Sequence, residues 1–338
     1  MIDLKDRKIV LIGGAGFIGH NLALQLKERG ANVEVIDGLE VNNLLTFTSV
    51  DCTQQNRELY VKMINMRLEM LREAGIPLHV QDARDYHLLN KVLNKIQPQV
   101  VVQLAAVSHA GKSNKDPHST FDHSLRTLEN ALDYSSKAEC VEHFIYFSSS
   151  MIYGHFPPEG VTEETPCNPI GIYGALKLAG EKMVQAYNQV FEMPYTIIRP
   201  SALYGERCVS RRVGQIFIEN AVLGKEVMIT GDGSDCLDFT YIDDLTSGII
   251  NCIENENARN ETFNLTYGES RSLADMSKIL LDHFPDLDIK YTPKDHLTPD
   301  RGTLSVDKAR KMIGYNPQCP LEKGFVKYIE WYKENFSS

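Results

Sequence analysis

Ile9-Val10-Leu11-Ile12-Gly13-Gly14-Ala15-Gly16-Phe17-Ile18-Gly19 reads as a strand that runs straight into a cluster of glycines. Four consecutive apolar residues predict a strand buried on both faces. His20-Asn21-Leu22-Ala23-Leu24-Gln25-Leu26-Lys27 follows with the spacing of an amphipathic helix. Gly14, Gly16 and Gly19 satisfy G-x-G-x-x-G, and Gly13, Gly16 and Gly19 satisfy the G-x-x-G-x-x-G variant. Each glycine has a use in such a turn. Gly13 or Gly14 lets the chain reverse sharply. Gly16 lets the backbone approach a ligand with no Cβ in the way, and Gly19 lets helix and strand pack closely. The helix N–H groups and the positive end of its dipole then face an anion. Residues Gly13, Gly14, Ala15, Gly16, Phe17, Ile18 and Gly19 are therefore a candidate cradle for a dinucleotide pyrophosphate. A ligand-free glycine turn is the alternative, and the flanking strand and helix weigh against it.

Outward from this unit, Val33–Ile36 predicts a second strand that ends at Asp37, 18 positions after Gly19. That is close to the spacing of the acid that holds an adenosine ribose. One carboxylate can share two ribose hydroxyls but repels a 2′-phosphate, so Asp37 favours NAD over NADP. Further strands are read at 79–85, 100–106, 144–147 and 195–198, with helices at 119–138 and 171–187 between them. Strand and helix alternate, which predicts an α/β fold: a Rossmann-type, doubly wound parallel sheet. Ala105 and Ala106 leave room for a flat ligand beside the fourth strand. After Arg199-Pro200 the pattern loosens into short strands and four more helices. This predicts a dinucleotide-binding domain over 1–200, with 237–266 crossing back to it. A smaller substrate-binding domain takes 201–236 and 267–338.

One segment stands apart. Between 54 and 75, Leu59, Met63, Met66 and Met70 fall in one row at helical spacing, and Tyr60, Ile64, Leu68 and Leu71 in another. So wide an apolar stripe predicts an inserted, buried helix. Its place in the chain puts it near the adenosine end of a cofactor, with a partner-subunit contact as the alternative.

The 338 residues are 43% hydrophobic and carry a formal net charge of −10. That charge argues against nucleic acid or an anionic membrane as partner. The seven cysteines are scattered and never form C-x-x-C, which suits a reduced compartment without disulfides or structural zinc. The opening residues lack the apolar core of a signal peptide, and no apolar run approaches the ~20 residues of a membrane span. A soluble cytoplasmic protein is expected, with no metal site.

Tyr173 and Lys177 lie four apart, on one face of the 171–187 helix. A lysine ammonium beside a phenol favours the phenolate. Bringing a tyrosine from about 10 toward 7 takes roughly 4 kcal/mol. Such a group can take a proton from an alcohol while hydride leaves the same carbon. Ser149, at the end of the fifth strand, can hold that alcohol oxygen. A chain with 15 tyrosines can meet this spacing by chance. The weight lies in the order: glycine cradle, Asp37, Ser149, then Tyr173 and Lys177.

With these residues in that order the chain resembles an extended short-chain dehydrogenase/reductase, in the nucleotide-sugar epimerase/dehydratase branch typified by UDP-glucose 4-epimerase-like enzymes. Asp82, Leu104-Ala105-Ala106, Ile152-Tyr153-Gly154, Arg199-Pro200, Tyr204-Gly205 and Asp238–Asp244 match further. The resemblance implies NAD as cofactor. It implies that Asp82 and Ala83 meet the adenine, that Pro200 sits by the nicotinamide amide, and that Lys177 also holds the nicotinamide ribose. It implies a homodimer joined by a four-helix bundle of the 119–138 and 171–187 helices.

Two departures bear on the reaction. Dehydratases of the branch place an Asp-Glu pair where this chain has Ser150-Met151, so 4,6-dehydration is not expected. Many relatives place an arginine where this chain has Leu237. Arg207, Arg211, Arg212 and Arg301 are the candidates to hold the substrate diphosphate in its stead, and Ser108, His109, Ser150 and Ser201 are further substrate candidates. His123 occupies the place of a common asparagine. The sequence therefore points to NAD-dependent oxidation at C4 of a nucleotide-diphosphate sugar, with redox-neutral 4-epimerisation as the simplest outcome. A net dehydrogenase or decarboxylase, or an NAD-sensing protein on the same fold, are the alternatives.

Overall fold

A computed structural model of the chain describes residues 1–49, 52, 54, 56–108, 110–294 and 299–336. The first strand, β1 (Lys8–Ile12), is the centre of the molecule. Four of its five residues are buried, as the apolar run requires. Around it stand β2 (Asn32–Asp37), β3 (Leu78–Val80), β4 (Val100–Gln103), β5 (His143–Phe147), β6 (Tyr195–Arg199) and β7 (Glu261–Asn264). They form one sheet in the order β7-β6-β5-β4-β1-β2-β3, and every neighbouring pair is parallel. The strand order reverses between β1 and β4. A crevice opens there beyond the carboxyl ends of the strands, and in such sheets this is where ligands bind.

Successive strand residues face opposite sides, so the sheet feeds two cores. Val10, Ile12, Val101 and Phe144 pack with Leu89, Leu93, Leu128, Leu132 and Val184 on one side. Ile9, Leu11, Val35 and Val102 pack with Leu22, Leu26, Tyr60 and Ile249 on the other. This second cluster runs without a break into Phe217, Met276, Leu280 and Phe325 of the later helices. At about 1.5–3 kcal/mol for each fully buried large aliphatic or aromatic side chain, these two layers hold the sheet.

The helix after the glycines, α1, spans Phe17–Glu28. The inserted helix is present as α2 (Arg57–Glu73), and its buried residues are Tyr60, Met63, Ile64, Arg67 and Leu71. Met66 and Met70 of the expected rows are only partly buried, and an arginine takes the centre of the hidden face. After α3 (Tyr86–Ile96), the helix expected at 119–138 is present over 117–137, with a π-turn in its middle. Pro117–Phe121 is capped by Asp116, a π-turn covers Asp122–Arg126, and α4 runs Thr127–Lys137. The π-turn is a local widening of the kind often found at functional sites. Here it accompanies side-chain bonds that replace the regular ladder: His123 Nδ1 lies 2.9 Å from the Ser119 carbonyl, and Thr127 Oγ1 donates to the His123 carbonyl at 2.8 Å. The next helix, α5, covers Gly171–Phe191. Among the described residues no helix is long and apolar enough to cross a membrane, and all seven cysteines are free thiols.

Candidate active site

Gly13 takes φ +82°, so it is Gly13 rather than Gly14 that adopts the left-handed turn. A Cβ there would fall 2.6 Å from the Ala105 backbone nitrogen, which locks β1 against the end of β4. A Cβ on Gly16 would meet only the Gly13 carbonyl, at 3.2 Å. Gly16 is thus bare on its ligand side, as a backbone that receives a phosphate must be. Asp37 ends β2 at the rim of the same cavity. Its Oδ2 accepts from the Ala15 N–H at 3.0 Å, and its Oδ1 from the Leu39 N–H at 2.7 Å. Burial pushes this carboxyl up, and those backbone N–H groups pull it back toward the ionised form. Gly13, Gly16, Phe17, Ile18, Gly19, Asp37, Asp82, Ala83, Leu104, Ala105 and Ala106 all line this cavity. Gly14 and Ala15, of the same loop, do not line it.

The cavity continues along Ile18, Leu104, Ala106, Ser108 and Arg212 into a second space. Ser149, Ser150, Tyr173, Lys177, Pro200, Ser201 and Arg301 line that space together. The physical reasons are local. Ser149 and Ser150 leave the end of β5, Pro200 and Ser201 leave the end of β6, and Tyr173 and Lys177 share one face of α5. Lys177 is buried, and its Nζ donates to the Phe147 carbonyl at 2.6 Å. Burial, opposed by the nearby Glu181 carboxylate, pushes its ammonium down to about 8. Glu181 sits one turn further along α5 and grips Arg199, with Nε–Oε1 at 3.0 Å and Nη2–Oε2 at 2.7 Å. Both partners are buried, so this two-pronged pair pins the helix of Tyr173 to the strand that carries Pro200.

A dinucleotide crevice at the switch point, continuous with a Ser–Tyr–Lys space, is matched by the family model described as NAD dependent epimerase/dehydratase family over residues 9–266. The chain belongs to that family. Similar proteins include a putative UDP-glucose 4-epimerase of Methanocaldococcus jannaschii, 27% identical over 97% of this chain and 99% of that one. A dTDP-glucose 4,6-dehydratase of Xanthomonas campestris is 25% identical over 96% of this chain and 93% of that one. Among solved structures, a UDP-glucuronic acid 4-epimerase from Bacillus cereus has the same fold. Its TM-score is 0.85 at 24% identity, covering 97% of this chain and 99% of that one. This chain is thus an enzyme of the extended short-chain dehydrogenase/reductase type, with NAD as its cofactor.

The cavity walls of this epimerase/dehydratase family member fit that cofactor. The bare Gly16, the N-terminus of α1 and the fixed Asp37 form one end, and Pro200 and Lys177 the other. The basic candidates are separated by the fold. Arg212 lines both cavities, and Arg301 lines the second. Arg301 is half-buried and its Nη2 donates to Ser150 Oγ and Ser201 Oγ, both at 2.7 Å. Burial and the Arg212 guanidinium push it down to about 10, so it remains a cation at neutral pH. Arg207 and Arg211 turn elsewhere. Arg207 Nε donates to His20 Nε2 at 3.1 Å, and Arg211 Nη1 to Gln54 Oε1 at 3.1 Å. Neither lines the Ser149–Tyr173 space. His109 lies outside the described residues. His123 lines the cofactor cavity with its Nε2 3.0 Å from Glu40. Glu40, Asn42, Arg67, Gln81, Val209 and Ser210 also line that cavity without having been singled out in the sequence. The one available signal was Arg67, a charged residue in line with Met63, Ile64 and Leu71.

Proposed function

We propose that the enzyme oxidises C4 of a nucleotide-diphosphate sugar and returns the hydride to the opposite face, as a redox-neutral 4-epimerase. The carrying observation is the Ser149, Tyr173 and Lys177 space, with Ser150-Met151 in the place of a dehydratase acid–base pair. Bound NAD supplies the hydride acceptor, and on return the donor. Ser149 holds the substrate oxygen. Tyr173 takes its proton on oxidation and gives it back on reduction, and the Lys177 ammonium favours the phenolate between those steps. Arg212 and Arg301 hold the diphosphate. Both have a buried Nε without a hydrogen-bond partner among the described residues, and two close guanidiniums in a chain of net charge −10 suit a dianion. Relatives named as a putative UDP-glucose 4-epimerase and a UDP-glucuronate 4-epimerase support this class of reaction.

The test is a panel of UDP-, GDP-, CDP- and dTDP-sugars deuterated at C4, incubated with enzyme and no added NAD. Epimer that retains the deuterium is expected. Accumulation of NADH with a 4-keto or decarboxylated sugar would replace the reading with a net oxidoreductase, and no turnover or binding would favour a sensor.

We also propose that the enzyme is a homodimer through the helices over 117–137 and 171–191. Phe121, Ile172, Val190 and Phe191 stand exposed on these elements, where an isolated chain gains nothing from them. Sedimentation at micromolar concentration should give twice the chain mass. A monomer there would refute the assembly.

A further inference from the structure

The inserted helix α2 carries a fully buried arginine that the reaction above does not use. Arg67 Nε donates to the Arg207 carbonyl at 2.9 Å, and Nη2 donates to the same oxygen. These nitrogens form one edge of the planar guanidinium. Nη1, on the other edge, is buried and has no hydrogen-bond partner among the described residues. An unpaired buried N–H on a cation is costly, since its desolvation is not repaid. The Arg67 side chain lines the cofactor cavity beside Gly13, Gly16 and Asp37.

No carboxylate takes up the unspent donor. The Asp37 oxygens accept from the Ala15 and Leu39 N–H groups, and neither pairs with Arg67 Nη1. His20, buried in α1 behind the loop, has Nδ1 2.9 Å from the Gly16 carbonyl and accepts from Arg207 through Nε2. Burial and the two guanidiniums keep it neutral. Behind the glycine loop, at the positive end of α1, Arg67 has Asp37 as its neighbouring carboxylate, while Arg207 is balanced by Glu206 and Asp243. A buried guanidinium with one donor unspent, beside the N-terminus of α1, fits an anion rich in acceptor oxygens.

We propose that Arg67 is a cofactor-binding residue, that its Nη1 donates to the pyrophosphate of the bound dinucleotide, and that α2 is the element that delivers it. The diphosphate of a nucleotide sugar offers the same chemistry. Arg67 is absent from the wall of the Ser149–Tyr173 space, which assigns it to the dinucleotide. The same guanidinium ties the cofactor cavity to the segment that carries Arg212. The inference rests on NAD as cofactor and is independent of the sugar reaction.

The experiment is titration calorimetry of the full chain and its Arg67→Gln variant with NAD, ADP-ribose, adenosine and the best-bound of UDP, GDP, CDP and dTDP. Arg67→Gln should raise the Kd for NAD and ADP-ribose by about 10- to 100-fold, the range of a hydrogen bond to a charged group. Adenosine and the nucleoside diphosphate should stay within about twofold, because neither places a phosphate at this site. Arg301→Gln is the control and should show the reverse selectivity. Unchanged NAD affinity, an equal loss for adenosine and ADP-ribose, or a loss confined to the nucleoside diphosphate would each overturn the assignment. A purely structural role would lower all affinities together. If Arg67→Gln does not fold, Arg67→Lys is read in the same way. A selective loss for ADP-ribose supports the contact, and a parallel loss or none overturns it.

Discussion

Tyr173→Phe is expected to lower kcat about 1,000-fold, within the range for removal of a general acid–base, while NAD binds as before. The phenol lines the cavity with Ser149 and Lys177 and is only partly buried. The other titratable groups on that wall cannot take its place. Lys177 spends a proton on the Phe147 carbonyl, Arg212 and Arg301 are cations, and burial drives the Tyr204 phenol far up. The variant loses one oxygen and keeps the ring, so the α5 packing and the Lys177 contacts survive. Steady-state kinetics with the active sugar, paired with NAD calorimetry, separates the two effects. Retention of more than a few per cent of wild-type kcat would move the proton transfer to another group.

Binding of NADP is expected to be at least about 100-fold weaker than binding of NAD, by calorimetry on the same preparation. A 2′-phosphate would meet Asp37, whose carboxylate is held in place by the Ala15 and Leu39 N–H groups and cannot swing away. Those donors also favour its ionised form against the effect of burial. At about 4 Å and an effective dielectric near 20, each unit like-charge pair costs roughly 4 kcal/mol. Attraction to Arg67 and screening by solvent offset part of this, which leaves about two orders of magnitude. Asp37→Ser should narrow the gap mainly by improving NADP. Equal affinities in the wild-type protein would remove Asp37 as the discriminating residue.

The parts of this enzyme that could be read along the chain are those fixed by neighbours in sequence. The apolar run Ile9–Ile12, the glycine spacing and the α1 period describe one local unit, and its torsions need no distant partner. Tyr173 and Lys177 share a helix face for the same reason, and Ser149 follows directly on an apolar strand. Strand alternation with helices led to the parallel sheet, because a parallel return needs a crossover.

Tertiary structure decided what depends on residues far apart. Arg207, Arg211 and Arg212 look like one basic cluster in the chain. Arg207 and Arg211 both adopt positive φ, at +61° and +53°, so successive side chains leave in different directions and only Arg212 reaches the Ser149–Tyr173 space. The helix expected at 119–138 widens to a π-turn at Asp122–Arg126 beside side-chain bonds of His123 and Thr127, which periodicity does not register. Arg67 is the plainest case. Read in one dimension it interrupts an apolar stripe and belongs in water. Folded, it is buried because a carbonyl 140 residues away accepts two of its donors, and its third nitrogen stays unpaired in a residue that lines the cofactor cavity.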